Sequence, residues 1–141
     1  MTNYQRINHA LRAIHMNIRC NMHAEVKRQQ VDFSPLEHIA MQNIFKCSGA
    51  SQQMLVEIMN KDKAQIARIV ARLLRQDLII KQESPEDKRC VLLNLSDKGE
   101  KLLKRLDEVE LEVLGDMLTG FSEQESASLM VLLERINQNF K

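Results

Sequence analysis

Arg68, Arg72 and Arg75 recur at steps of four and three within KAQIARIVARLLRQ, a segment that also carries Ile66, Ile69, Val70, Leu73 and Leu74 at helical spacing. At about 100° per residue, with Ile66 at zero, Ala64, Arg68, Ala71, Arg72 and Arg75 fall within about 60° of the opposite pole. Gln65 lies at the edge of that arc. Guanidinium groups pair with phosphate oxygens or with guanine edges, and a glutamine amide can pair bidentately with adenine. The small Ala64 and Ala67 would let such a helix approach base edges closely. The chemistry this face offers is recognition of DNA. On an isolated helix, a solvated basic face would be the simpler reading, so the flanking elements decide.

Downstream, the period changes from helical to twofold. Leu78-Ile79-Ile80 begins a strand, SPEDK makes a turn, and Cys90-Val91-Leu92-Leu93-Asn94-Leu95 returns as the second strand of a hairpin. Upstream, Ser34-Pro35-Leu36-Glu37 offers an N-cap hydroxyl, a proline at the first helical position and a glutamate placed to return the hydrogen bond. That helix carries Leu36, Ile39, Ala40 and Ile44 on one side. It ends near CSGAS, where Gly49 supplies a stop and Ser51 a new cap for a short helix at about 52–59. Two short helices joined by a tight turn and followed at once by a β-hairpin form a winged helix-turn-helix, whose second helix reads the major groove. The hairpin reverses the odds against a functional basic face.

Longer helices flank this lobe. Thr2 and Gln5 form a capping box, and Ile7, Leu11, Ile14, Ile18 and Met22 follow at alternating steps of four and three. Ser96 caps a fifth helix striped by Leu102, Leu106, Val109, Val113 and Met117. Ser122 with Glu125 opens a last helix carrying Leu129, Leu132, Leu133, Ile136 and Phe140. The expected fold is mainly α with a small β-hairpin, in the order ααααββαα. Residues 1–141 form one domain, with a DNA-binding lobe over 34–95 and dimerisation helices over 1–33 and 96–141. The stripes of the first, fifth and sixth helices are too broad for one small winged domain to cover, so a homodimer is expected.

The formal net charge is only +1, but it is unevenly spread. Residues 61–95 carry 8 basic and 5 acidic side chains, while residues 96–141 carry 6 and 10. DNA responds to the local field, so the basic middle would face it and the acidic C-terminal third would face away. No apolar run approaches the roughly 20 residues of a membrane span, and the N-terminal residues lack the apolar core of a secretory signal, so a cytoplasmic protein is expected. No GxSxG, HExxH, P-loop or glycine-rich dinucleotide pattern is present. Neither an enzyme nor a cofactor is expected.

The segment SPEDKRCVLLNLSDKG resembles the wing of the MarR family, whose pattern is Asp-x-Arg, a hydrophobic strand, then Leu-Thr/Ser-x-x-Gly. Asp87 and Arg89 match the Asp-x-Arg, Leu95 and Ser96 match the strand end and helix cap, and Gly99 matches the glycine. LVEIMNKDKAQIARIVARLLRQDLI is similar to the family's helix-turn-helix, and the resemblance covers residues 34–103 closely. One departure is Asp77, where family members commonly have glycine; aspartate tolerates the left-handed conformation less well.

The resemblance implies a DNA-binding transcriptional regulator acting as a homodimer on a palindromic operator in double-stranded DNA. It implies a repressor, released by a small-molecule effector whose identity and binding residues the sequence does not show. It places Arg89 in the minor groove, oriented by Asp87, which also braces the wing. The expected DNA contacts are Lys61, Lys63, Ala64, Gln65, Ala67, Arg68, Arg72, Asp87, Lys88 and Arg89. Two alternatives are a winged-helix protein-interaction module that does not bind DNA and a regulator that senses oxidants through cysteine.

Cys20, Cys47 and Cys90 are widely separated and form no CxxC pair, so reduced thiols are expected, and Cys20 reads as a packing residue. His9, His15, His23 and His38 form no i, i+4 pair, and only Cys20 and His23 share a helix face. Glu37-His38 is similar to the zinc-sensing members of the family, but those take further histidines from the fifth helix, which has none here. Both side chains therefore read as solvated, and no metal is expected.

Overall fold

The computed structural model describes residues 1–31 and 34–141. The lobe boundary expected after residue 33 lies outside the described residues. The elements are α1 (Asn3–Arg28), α2 (Pro35–Lys46), α3 (Gln52–Met59), α4 (Lys63–Arg75), β1 (Ile79–Glu83), β2 (Val91–Leu95), α5 (Asp97–Met117) and α6 (Glu123–Gln138). This is the expected order. No helix among the described residues is long and apolar enough to cross a membrane.

Caps begin most of the helices where the sequence places them. Thr2 and Gln5 close their capping box on α1, and Ser122 and Glu125 close theirs on α6. Ser51 accepts from Met54 N–H at 3.1 Å and Ser96 accepts from Gly99 N–H at 3.0 Å. At the far end of α1, hydrogen bonds from Arg28 and then Gln29 hold the Glu25 carboxyl down at about 2.

The start of α2 departs from expectation. Ser34 stands at the N-cap with Pro35 behind it, but its hydroxyl makes no capping bond. Glu37 does not return a bond to Ser34; its carboxylate reaches across to Arg72 instead. The buried face also differs, since Ile39 is exposed while Met41 joins Ala40 and Ile44 in the core.

The lobe's core gathers Met41 and Ile44 of α2, Leu55 of α3, Ile66, Val70 and Leu73 of α4, Ile79 of β1, Leu93 of β2 and Leu103 of α5. Fully burying each such side chain stabilises by about 1.5–3 kcal/mol, which makes the lobe a rigid platform. A second cluster joins Met22 and Val26 of α1 to Leu106 and Val109 of α5, so α5 belongs to both cores.

The hairpin pairs antiparallel, Ile79 with Leu95 through Glu83 with Val91. Each strand begins one residue later than expected. Leu78 N–H is taken by Leu73 O at 3.0 Å as α4 ends, and Cys90 N–H is taken by Asp87 O at 3.0 Å in the turn. Ala50 adds a bridge to Leu93 on the other side of β2.

Asp77 adopts φ of +58°, the left-handed conformation that glycine would take more easily. Ser96 Oγ donates to its carbonyl at 2.5 Å, so the cap of α5 holds this turn.

Candidate nucleic-acid interface

Asn60, at φ +51°, turns the chain between α3 and α4, and the Asp62 carboxylate then accepts from Gln65 N–H at 2.8 Å. With Ile66, Ile69, Val70 and Leu73 buried, rotation of α4 about its axis is fixed. Lys61, Lys63, Ala64, Ala67, Arg68 and Arg75 are consequently exposed, and Gln65 is half-buried. Lysine and arginine thus line the outward face, and two alanines lower its profile for close approach to a duplex.

Arg72 sits differently. Its Nε lies 3.0 Å from Glu37 Oε1, while its side chain remains half exposed. An arginine carries five N–H donors, so this ion pair takes up one edge of the fork and restrains the rest. Arg72 therefore cannot be read as a free DNA contact equal to Arg68.

The wing carries Lys88 and Arg89, both exposed, in the turn between β1 and β2. Ser84 N–H donates to Cys90 O at 2.9 Å and closes the loop. Asp87 Oδ1 accepts from the Arg89 backbone N–H at 3.0 Å. Asp87 thus braces the turn through the main chain, and among the described residues the Arg89 guanidinium has no carboxylate partner.

Between α2 and α5 lies a polar cluster that includes His38, which with Glu37 was expected to be solvated. Glu37 and His38 are buried. His38 Nε2 lies 2.8 Å from Asp107 Oδ1 of α5. Gln42, one turn along α2, donates to Asp107 Oδ1 at 2.9 Å and to Glu110 Oε2 at 3.1 Å. The available signals were the i, i+4 spacing of His38 and Gln42 and the i, i+3 spacing of Asp107 and Glu110. Which two faces meet is a tertiary fact that neither spacing contains.

Residues 33–91 match the model of the MarR family. Along 139 residues, the chain is 27% identical to an uncharacterized HTH-type transcriptional regulator of Bacillus subtilis, YybA, covering 96% of this chain and 91% of that one. Its fold is similar to that of a MarR family protein from Bacillus stearothermophilus, with a TM-score of 0.84, 19% identity and 99% of each chain covered. It is likewise similar to FabT of Streptococcus pneumoniae, solved in complex with DNA, with a TM-score of 0.82, 23% identity and coverage of 98% of this chain and 97% of that one.

Proposed function

The chain belongs to the MarR family of transcriptional regulators, and from that premise we propose that it is a cytoplasmic repressor, homodimeric on a palindromic operator and released by a small ligand. The observation that carries the reading is the exposed, basic, alanine-lined face of α4, held in register by its buried opposite side and followed directly by a wing bearing Lys88 and Arg89. FabT, whose fold this chain shares, was solved in complex with DNA, and that likeness supports DNA binding. Lys61, Lys63, Ala64, Gln65, Ala67 and Arg68 form the major-groove contact set, with Arg72 partly withheld by Glu37. Lys88 and Arg89 supply the wing contact, with Asp87 shaping the turn.

The dimer rests on α6. None of its residues is buried, although Leu132, Leu133 and Ile136 line one face, and Ile7 and Leu11 of α1 border the same groove of about 660 Å³. An isolated helix of 16 residues is marginal in water, so that apolar face requires cover. A second copy burying about 2,000 Å² or more supplies it.

For the ligand, a cleft of about 310 Å³ lies where the segment after α1, the start of α2, the turn after α4 and α5 meet, lined in part by Met41, Leu102, Lys98 and Arg105. Both cations are engaged with backbone carbonyls, Lys98 with Gln76 O at 2.9 Å and Arg105 with Gln29 O at 3.0 Å. An anionic ligand would compete for them and loosen the end of α4 from α5.

The deciding experiment is selection from a random duplex library with the purified protein. Enrichment of an inverted repeat with half-sites about one helical turn apart is the expected result. Recovery of no sequence above background would favour a protein-docking role instead.

A further inference from the structure

Glu25 is the only acidic side chain of α1. With Ile14 at zero and about 100° per residue, Ile7, Leu11, Ile18 and Met22 fall between about 20° and 80°. His9, Arg12, Met16, Arg19, His23 and Lys27 fall between about 140° and 220°, and all six are exposed. Glu25 lies with the first group, at about 20°, where it is paired with Arg28. The second group is therefore a stripe of one sign that climbs about 27 Å from His9 to Lys27. Among the described residues Arg12, Arg19 and Lys27 take part in no ion pair.

We propose that this stripe is a second nucleic-acid surface, which holds the phosphate backbone of duplex DNA without regard to sequence. It shares no residue with α4 or the wing, and it does not depend on the operator reading. An ordinary solvated face mixes both signs. The whole chain carries 20 Lys and Arg against 19 Asp and Glu, so an exposed stripe of this length without a carboxylate departs from its own average. Ile7 and Leu11, the α1 residues assigned above to the second copy, lie on the other arc of the helix. Dimerisation through them leaves the stripe open.

The chemistry of the stripe favours a polyphosphate over the other anionic partners. Two of its three cations are arginines, whose planar forks match phosphate oxygens bidentately. His9 and His23 each add an N–H donor in either protonation state. A duplex carries one charge per about 1.7 Å, or about sixteen over the length of the stripe, so the cations find phosphates in any register. A protein partner would need apolar or aromatic anchors at the centre of the contact, and Met16 is the only large apolar side chain here. A membrane surface would need the apolar face of the same helix, which Met22 and Val26 spend on α5.

The test measures fluorescence anisotropy of a labelled random-sequence duplex of about 30 base pairs, long enough to span the stripe, with the full-length protein. The Arg68→Ala, Arg89→Ala variant, weakened on α4 and the wing, is expected to keep measurable binding. Adding Arg12→Ala, Arg19→Ala and Lys27→Ala should weaken that remainder by more than about tenfold and make its salt slope shallower by up to about 2.7 per chain. Arg12→Lys with Arg19→Lys keeps the charge and should bind the duplex nearly as the parent does. If α4 and the wing do not touch DNA, Arg68→Ala with Arg89→Ala changes nothing and the loss on altering α1 still appears, so the two readings fail separately. Loss of all duplex binding in the Arg68→Ala, Arg89→Ala variant would overturn the proposal, as would binding indifferent to the three α1 substitutions. A shift from dimer to monomer in sedimentation of the Arg12→Ala, Arg19→Ala, Lys27→Ala variant would also overturn it, because the stripe would then face acidic groups of a second copy.

Discussion

Glu37 Oε1 lies 3.0 Å from Arg72 Nε, tying the first turn of α2 to the last turn of α4. The carboxylate is only 11% exposed and the arginine 51% exposed, so this pair is neither a free surface contact nor a fully buried one. Its neighbour His38 reaches in another direction, to Asp107 of α5. Two consecutive residues of α2 thus hold α4 on one side and the long helix α5 on the other.

Arg72→Ala should therefore lower the unfolding free energy by about 1–2 kcal/mol, between the values for exposed and buried pairs. Arg68→Ala should leave stability unchanged, lose about 1–3 kcal/mol of operator affinity and relax discrimination at particular positions. Urea unfolding and fluorescence anisotropy on the selected operator separate these effects. An Arg72→Ala protein of parental stability that no longer binds DNA would contradict this division of roles.

Gly99 meets a different constraint. A Cβ added there would lie 2.0 Å from the Leu78 carbonyl oxygen, a backbone atom that cannot turn aside, and that oxygen also accepts from Ser96 N–H at 3.0 Å. Gly99→Ala must separate the start of α5 from the turn that joins α4 to β1. The cost should be about 1–3 kcal/mol or more, as for other overpacked sites, visible as a lower urea midpoint. Gly115→Ala, where the added atom has nothing within 4 Å, is the control and should be neutral or slightly stabilising.

The uncovered face of α6 predicts how the dimer fails. Ile136 is 39% exposed and Leu132 is 53% exposed in the single chain. A carboxylate at either position costs the isolated chain little but would be desolvated in the interface. Leu132→Glu with Ile136→Glu should shift sedimentation velocity from dimer to monomer at micromolar concentration and abolish tight operator binding. A double variant that sediments with the parent chain would exclude this face from the interface.

Caps and periodicity made the helices legible, because each depends on residues within one or two turns. Thr2 with Gln5, Ser96 and Ser122 with Glu125 all act where local spacing puts them. The outward face of α4 was legible for the same reason: burying Ile66, Ile69, Val70 and Leu73 leaves only one side for Arg68. What failed depends on contacts distant in sequence. Glu37 looked like the second half of a capping box until Arg72, 35 positions later in the sequence, took its carboxylate. His38 looked solvated because Asp107 is 69 residues away. Ile39 and Met41 exchanged places for a related reason, since the angle at which α2 meets its neighbours, not its own pattern, selects the buried arc.

The last prediction concerns Arg89, exposed in the turn of the wing, with its backbone held by Asp87 and its guanidinium free of any carboxylate among the described residues. A single arginine at a narrow minor groove responds to width and potential more than to base identity. Arg89→Ala should weaken binding to many duplexes alike and leave the preferred core bases unchanged. Removing one cationic contact also removes one displaced counterion, so the slope of log affinity against log salt should become shallower by about 0.9 per subunit. Asp87 acts here through the main chain, which makes two substitutions informative. Asp87→Asn keeps an oxygen to accept from Arg89 N–H and should retain most of the affinity. Asp87→Ala removes that acceptor, loosens the turn and should show a milder form of the Arg89→Ala defect. Circular dichroism should find the same helix content in all three variants. Arg89→Ala binding the operator with the parental affinity and salt slope would remove the wing from the DNA interface and leave α4 as its whole reading surface.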